Sequence, residues 1–347
     1  MRAIALCCFA FLAVLLLSPA IAGAQDAALL GQWPIYRDRF VDSDGRVLDT
    51  GNHATSHTEG QGFAMLFAEA CDDRQSFERI WHWTRDHLQR HDSALFSWKW
   101  DPAQAANPIV DMNDASDGDI LIGWALTRAE ARWHDLEYRG DARRILADIR
   151  RKLVSKAAHW RVLLPGIDGF TAEDGSVTVN PSYYVFPAFK EFLRIEPFAE
   201  WSWLRRDGLA LLAKARFGVW QLTPDWVTID PRGQVTPFAD RAPRFGFDAI
   251  RIPLYLIWSR EATPLRLAPE LNFWSQFADK PVPAWVDVND ATTARFAGST
   301  GIQAIVQLAR LWRGDTKAPL PAIGDKDDYY SASLILAATL AHRDIAR

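Results

Sequence analysis

The sequence predicts an all-α toroid, a ring of buried helices enclosed by a second layer of helices. Three observations carry this. Segments that are apolar nearly all round alternate with amphipathic ones, and the first kind is buried on every side while the second wraps the outside. Strand signals are sparse. No regular β-branched strand precedes the helices, as a doubly wound sheet or a TIM barrel would require.

Taken in order, residues 25 to 51 read as a lead-in strap with turns at Asp42-Ser43-Asp44-Gly45 and Asp49-Thr50-Gly51, and a short hairpin around Arg46–Leu48. The first helix pair is Glu59–Ala70, apolar apart from its start, and Gln75–Gln89, with Phe77, Trp81, Thr84 and Leu88 on one face. The second is Ile120–Trp133 and Ala142–Lys156, where Ile145, Ile149 and Leu153 share a face. Further helices are expected at Ser182–Leu193, Trp201–Phe217, Asp248–Trp258, within Pro264–Ala278, and at Ser299–Trp312 and Tyr329–His342. Ser176–Val179 and Val227–Val235 read as hairpins on loops. The long loops Trp98–Asn113, Leu163–Asn180 and Leu222–Arg244 are candidates for function, because long loops inside one domain usually serve it.

With 347 residues and 49% hydrophobic content the chain can bury a large core. Its net charge of −4 gives no case for nucleic acid or an anionic membrane surface. Arg2, the apolar run Ile4–Leu17 and Ala22-Gly23-Ala24 form a secretory signal peptide over residues 1–24, cleaved after Ala24, so residues 25–347 form the mature domain. The run is short for a membrane span, so none is expected after cleavage, and the protein is expected to be periplasmic or secreted. Only Cys71 remains in the mature chain, which excludes an internal disulfide and a cysteine metal site.

The stretch from Asp111 to Trp133 concentrates acid at a buried helix: Asp111, Asp114, Asp117 and Asp119 precede the apolar run Ile120–Leu126, and Glu130 follows. Carboxylates there are costly unless a ligand or a hydrogen-bond network uses them. Three inner-helix candidates start with an acid in a small or polar context, at Glu59, Asp117 and Asp248. Each has a structural reading beside the functional one. Thr58-x-x-Gln61 and Ser116-x-x-Asp119 match helix-start signatures, and Asp248 fits an N-cap. In a toroid, however, the inner-helix starts converge on one end, and the three acids would line one cleft. A calcium loop centred on Gly118 fails, because Ala115 and Trp124 fall at ligand positions. His53 and His57 have zinc spacing but no helix to carry it, so no metal and no cofactor is expected. Paired carboxylates together with 16 tryptophans, whose flat faces suit sugar rings, point to glycoside hydrolysis.

At these residues the chain resembles glycoside hydrolase family 8, most closely its members associated with bacterial cellulose synthase. The blocks are Thr58-Glu59-Gly60-Gln61-Gly62 through Met65, Ala115-Ser116-Asp117-Gly118-Asp119 through Trp133, Asn180-Pro181-Ser182-Tyr183, and Asp248-Ala249-Ile250-Arg251. Shorter echoes are Pro224-Asp225-Trp226-Val227 and Asp328-Tyr329-Tyr330. Gly123 departs from the family's usual Ala. The resemblance implies an (α/α)6 barrel that hydrolyses β-1,4-glucan with inversion, with cellulose chains and the cellulose synthase machinery as partners. It implies Glu59 as general acid, Asp248 as general base, Asp117 as the holder of the sugar, and Tyr183 and Arg251 as helpers. As acid, Glu59 is expected to have a raised pKa. Trp98, Trp100 and Trp226 are candidate sugar platforms, whereas Trp124 reads as core. Other readings are a xylanase, chitosanase or mixed-linkage glucanase on the same fold, or a non-catalytic glucan-binding factor.

Overall fold

Helices apolar on nearly every face are stable only at the centre of a molecule, and Thr58–Ala70, Ser116–Trp133, Arg251–Trp258 and Tyr329–Ala346 are buried almost throughout, while two amphipathic helices complete the inner ring. The computed structural model describes residues 26–104, 106–277, 280–315 and 318–347; the signal peptide expected at residues 1–24 lies outside them. The inner helices are α2 (Thr58–Ala70), α4 (Ser116–Trp133), α6 (Phe186–Ile195), α8 (Arg251–Trp258), α10 (Thr300–Trp312) and α11 (Tyr329–Ala346). Each touches the next, and α11 returns to α2, so the ring is closed. The outer layer is α1 (residues 26–40), α3 (Arg74–Leu88), α5 (Leu136–Asp148), α7 (Ala199–Lys214) and α9 (Pro264–Ser275). Between α10 and α11 the chain returns without a described helix, so these two inner helices run parallel; Gly301 at the start of α10 abuts Ser331 at the start of α11. One hydrophobic core runs through both layers, and among the described residues no helix is long and apolar enough to cross a membrane.

Four sequence expectations are corrected. Residues 26–40 form a helix rather than a strap: Leu29, Trp33, Tyr36 and Phe40 recur at helical spacing and are buried. Tyr36 meets the edge of Phe67 on α2 and pairs with Ser333 on α11 at 3.1 Å, so this helix covers the seam where the ring closes. The second outer helix begins earlier, at Leu136, and ends at Asp148 in a π-turn over Ile149–Leu153. The chain then forms a hairpin of β3 (Val154–Ala157) and β4 (Trp160–Leu163), turned at Ala158 with φ 52°. The two expected loop hairpins are one antiparallel sheet: β5 (Val177–Val179) pairs with β6 (Val227–Ile229), which pairs with β7 (Val235–Pro237). That sheet ties two of the three long loops together. The last correction concerns caps. Thr58 and Ser116 are the first residues of α2 and α4 and make no capping bond. Gln61 is instead buried, accepting from Val47 N–H at 2.6 Å and donating to Thr84 Oγ1 at 2.7 Å. Asp248 lies in a turn at residues 247–250 that winds into α8, which starts at Arg251.

Glycine sets the spacing at the front of the ring. A Cβ on Gly118 would lie 2.0 Å from Thr58 Oγ1 and 2.9 Å from the Glu59 nitrogen, so α2 and α4 touch backbone to backbone at their starts. At Gly123 a Cβ would meet Leu146 of α5 at 3.1 Å, a tight but flexible contact.

Candidate active site

Because the inner helices run the same way, their first residues gather at one end of the ring. Glu59 arrives on the first turn of α2, Asp117 on the first turn of α4, and Asp248 on the turn before α8. The three meet around one side chain. Arg251 is 2% exposed, its Nη1 contacts Glu59 Oε1 and donates to Asp117 Oδ2 at 3.1 Å, and its Nη2 donates to Asp248 Oδ1 at 2.8 Å. Nη2 also donates to Ser182 Oγ at 3.2 Å. A planar guanidinium with five fixed donors suits this task, where a lysine could not serve all four acceptors in fixed geometry.

Exposure separates the three acids. The side chains of Glu59 and Asp248 are 28% and 31% exposed and open on the cleft, whereas that of Asp117 is 4% exposed beneath them. Burial, and then the charge of Asp248, push Asp117 up to about 8, although the Gly118 N–H donates to its Oδ1 at 2.9 Å. The one guanidinium shared among three carboxyls does not offset this, so Asp117 retains its proton near neutrality. Burial also raises Asp248, opposed by hydrogen bonds from Asn180 and Trp226 and by the charge of Arg241. Asn180 Nδ2 donates to Asp248 Oδ2 at 3.0 Å, while its own Oδ1 is held by Ser182 N–H and Oγ at 3.0 and 2.7 Å.

The remaining predicted residues divide. Tyr183 is half-buried, 5.8 Å from the Arg251 guanidinium, and its phenol is held well above its usual range by burial and by Asp117 and Asp248. Trp226 stacks on Phe170 at 6.0 Å, meets Tyr183 edge-on and lies 4.4 Å from Arg241. It is thus brought to the carboxylates, as a neighbour of Asp248. Trp98 stands beside the start of α2: Thr58 N–H donates to its carbonyl at 3.1 Å, its ring stacks on His57 and its indole donates to Asp111 at 2.8 Å. Trp100 turns the other way, against Trp83 of α3 and Arg46. The reason lies in the short ladder of β1 (Ser56–His57) and β2 (Lys99–Trp100), which hands its ring to the outer layer. Trp124 is core, packed on Trp258 at 4.7 Å. Among the described residues no group of three or more His, Cys, Asp or Glu is arranged to hold a metal ion.

The chain matches the description "Glycosyl hydrolases family 8" over residues 1–344. It belongs to glycosyl hydrolase family 8. The family 8 chain is 37% identical over 326 residues to a probable endoglucanase of Novacetimonas hansenii, covering 94% of each. It is 40% identical over 276 residues to an endoglucanase of Cellulomonas uda, across 80% of this chain and 76% of that one. Of solved structures, endo-beta-1,4-glucanase CMCax from Acetobacter xylinum matches with a TM-score of 0.86 at 38% identity, over 91% of this chain and 98% of the other.

Two groups of neighbours at the site of this family 8 chain carry no role in its sequence motifs. Asn180 and Ser182 lie within the Asn-Pro-Ser-Tyr block, where an Asn before Pro opening a 3₁₀ turn was the available signal. Asp225 and Tyr330 lie within the two shorter echoes; Tyr330 donates to the Phe247 carbonyl at 2.7 Å, bracing the turn that carries Asp248.

Proposed function

We propose that this chain is an exported endo-β-1,4-glucanase that cleaves cellulose chains with inversion, in association with bacterial cellulose synthesis. The observation that carries the reading is the meeting of Glu59, Asp117 and Asp248, from three distant parts of the sequence, around buried Arg251 in a family 8 glycosyl hydrolase. The relatives' endoglucanase names and the match to an endo-beta-1,4-glucanase of Acetobacter xylinum support a β-1,4-glucan as substrate.

In this reading Glu59 gives its proton to the glycosidic oxygen as the bond to the anomeric carbon breaks. Asp248 takes a proton from water, whose oxygen attacks that carbon from the opposite face. Inversion needs the two carboxyls roughly 6.5–9.5 Å apart to admit the water. Asp117, protonated near neutrality, has an O–H to give a sugar hydroxyl. Arg251 orients all three, and Tyr183 borders the base. Trp98 and Trp226 flank the cleft on the Glu59 and Asp248 sides. The signal peptide at 1–24 delivers the chain to the periplasm or beyond.

Glu59→Gln tests the assignment, and its kcat on carboxymethylcellulose should fall about 10²–10⁴-fold. Persistent activity would sink the role of Glu59. NMR of the first product should show the inverted anomer, and xylan or chitosan should be cleaved more slowly than cellulose. N-terminal sequencing of the exported protein should begin at Gln25.

A further inference from the structure

The base stands on a turn rather than on a helix, and a turn must be held in place by something. Residues 247–250 precede α8, and three backbone donors in and just before them converge on one atom outside any element that carries the site. Asp225 Oδ1 accepts from Gly246 N–H at 3.1 Å, Asp248 N–H at 3.1 Å and Ala249 N–H at 2.7 Å. The Asp225 N–H in turn donates to the Arg244 carbonyl at 2.7 Å, so the carboxylate is anchored to the strand that leads into the turn. At Gly246 the chain passes so close to this side chain that a Cβ would lie 2.8 Å from Oδ2. The next residue, Trp226, borders Asp248 and offsets part of the effect of burial on its carboxyl.

We infer that Asp225 is a positioning residue for Asp248, clamping the turn so that the base carboxyl faces the water it must deprotonate. This rests on the reading of Asp248 as general base. Asp225 does not touch substrate; it acts through the backbone, while Asn180 and Arg251 each hold one oxygen of the Asp248 side chain. Two of the three N–H groups belong to the turn that carries the base and the third to the residue just before it, so the position of Asp248 is tied to that of the Asp225 carboxylate. A bonded carboxylate of this kind also gives geometry that a mobile turn lacks, and a misplacement of about 1 Å can cost on the order of 10²-fold in rate.

The experiment compares Asp225→Ala, Asp225→Asn and Asp225→Glu with Asp248→Asn, following kcat and KM on carboxymethylcellulose and the thermal melt of each. Asp225→Ala should lose about 100-fold in kcat with KM within about threefold. Asp225→Asn keeps an oxygen acceptor and should recover to within about tenfold of native. Asp225→Glu moves the acceptor outward by a methylene and should lose kcat while melting like the native protein, which serves even where the Ala variant does not fold. Native-like kcat in the Glu variant, or losses confined to KM, with Asp248→Asn inactive, would overturn the clamp alone. An active Asp248→Asn would overturn the base assignment, and the clamp with it.

Discussion

Arg251 and Asp117 show how a buried carboxyl at the site leaves a mark on stability. Asp117 is pushed up to about 8, whereas in the unfolded chain it titrates near 3.9. Between these values the folded protein holds a proton that the unfolded chain has released. Folding then takes up a proton, so stability falls as pH rises through that window. Glu270 on α9, pushed up to about 7 by burial with its Oε2 lacking a partner, acts in the same direction. Urea titrations at pH 5, 6.5 and 8 should show the protein weakest at pH 8. In Asp117→Asn the slope should drop by about 1.4 kcal/mol per pH unit, the contribution of one proton. An unchanged slope would mean that Asp117 ionises near its ordinary value. The sign matters for function too, because an acid held protonated near neutrality can donate to a sugar hydroxyl.

At the scale of elements, the start of α4 against α2 is the contact on which the site's geometry depends. Gly118→Ala would drive a methyl into Thr58 and the backbone of Glu59. Overpacking of this kind costs about 1–3 kcal/mol, and here it also displaces the acid. The expected outcome is a lower melting temperature together with a kcat loss of at least about tenfold; a melt shift with native kcat would show that α2 moves as a whole. Gly123→Ala, facing the flexible side chains of Leu146 and Ile145, should alter neither by much. The inner helices α2, α4, α8 and α11 are legible in the sequence from their near-continuous apolarity, whereas α6 and α10 carry polar faces. The acids at the site are legible too. Less legible was α1, whose stripe is interleaved with Arg37, Asp38 and Arg39. The π-turn after α5 was hidden because Ile145, Ile149 and Leu153 keep one face in either geometry. The caps were misread because a motif gives residue spacing and cannot say that Gln61 reaches outward to Val47 and Thr84. The clamp at Asp225 joins residues more than twenty apart through backbone N–H groups, which no side-chain pattern encodes.

For the whole molecule, the question is what closes the ring at the end away from the carboxylates. There α2, α4, α8 and α11 finish together, and their last turns are joined by charge. Arg128 donates to Glu69 at 2.7 Å and to Asp344 at 2.8 Å, Arg132 donates to the other oxygen of Glu69 at 2.7 Å, and Trp258 donates to Asp344 at 3.0 Å. Arg343, 1% exposed, donates to the Ala70 carbonyl at 2.8 Å, capping the end of α2. Glu69 lies ten residues beyond Glu59 on one helix, about 15 Å at 1.5 Å per residue. The network can therefore fail without touching the chemistry. Arg128→Met would leave buried Glu69 with Arg132 alone and half-buried Asp344 with Arg343 and Trp258, and the loss of these charged hydrogen bonds should cost about 1.5–3 kcal/mol. Arg132, with its side chain 31% exposed, can be replaced by water, and Arg132→Met should cost about 1 kcal/mol or less. Urea unfolding should rank the two in that order, and kcat at 25 °C should stay near native in both. Stability would then reside at one end of the barrel and catalysis at the other, joined by helices stiff enough to keep them independent. A fall in kcat for Arg128→Met, well below its melting temperature, would show instead that the ring carries strain from its closure to its cleft.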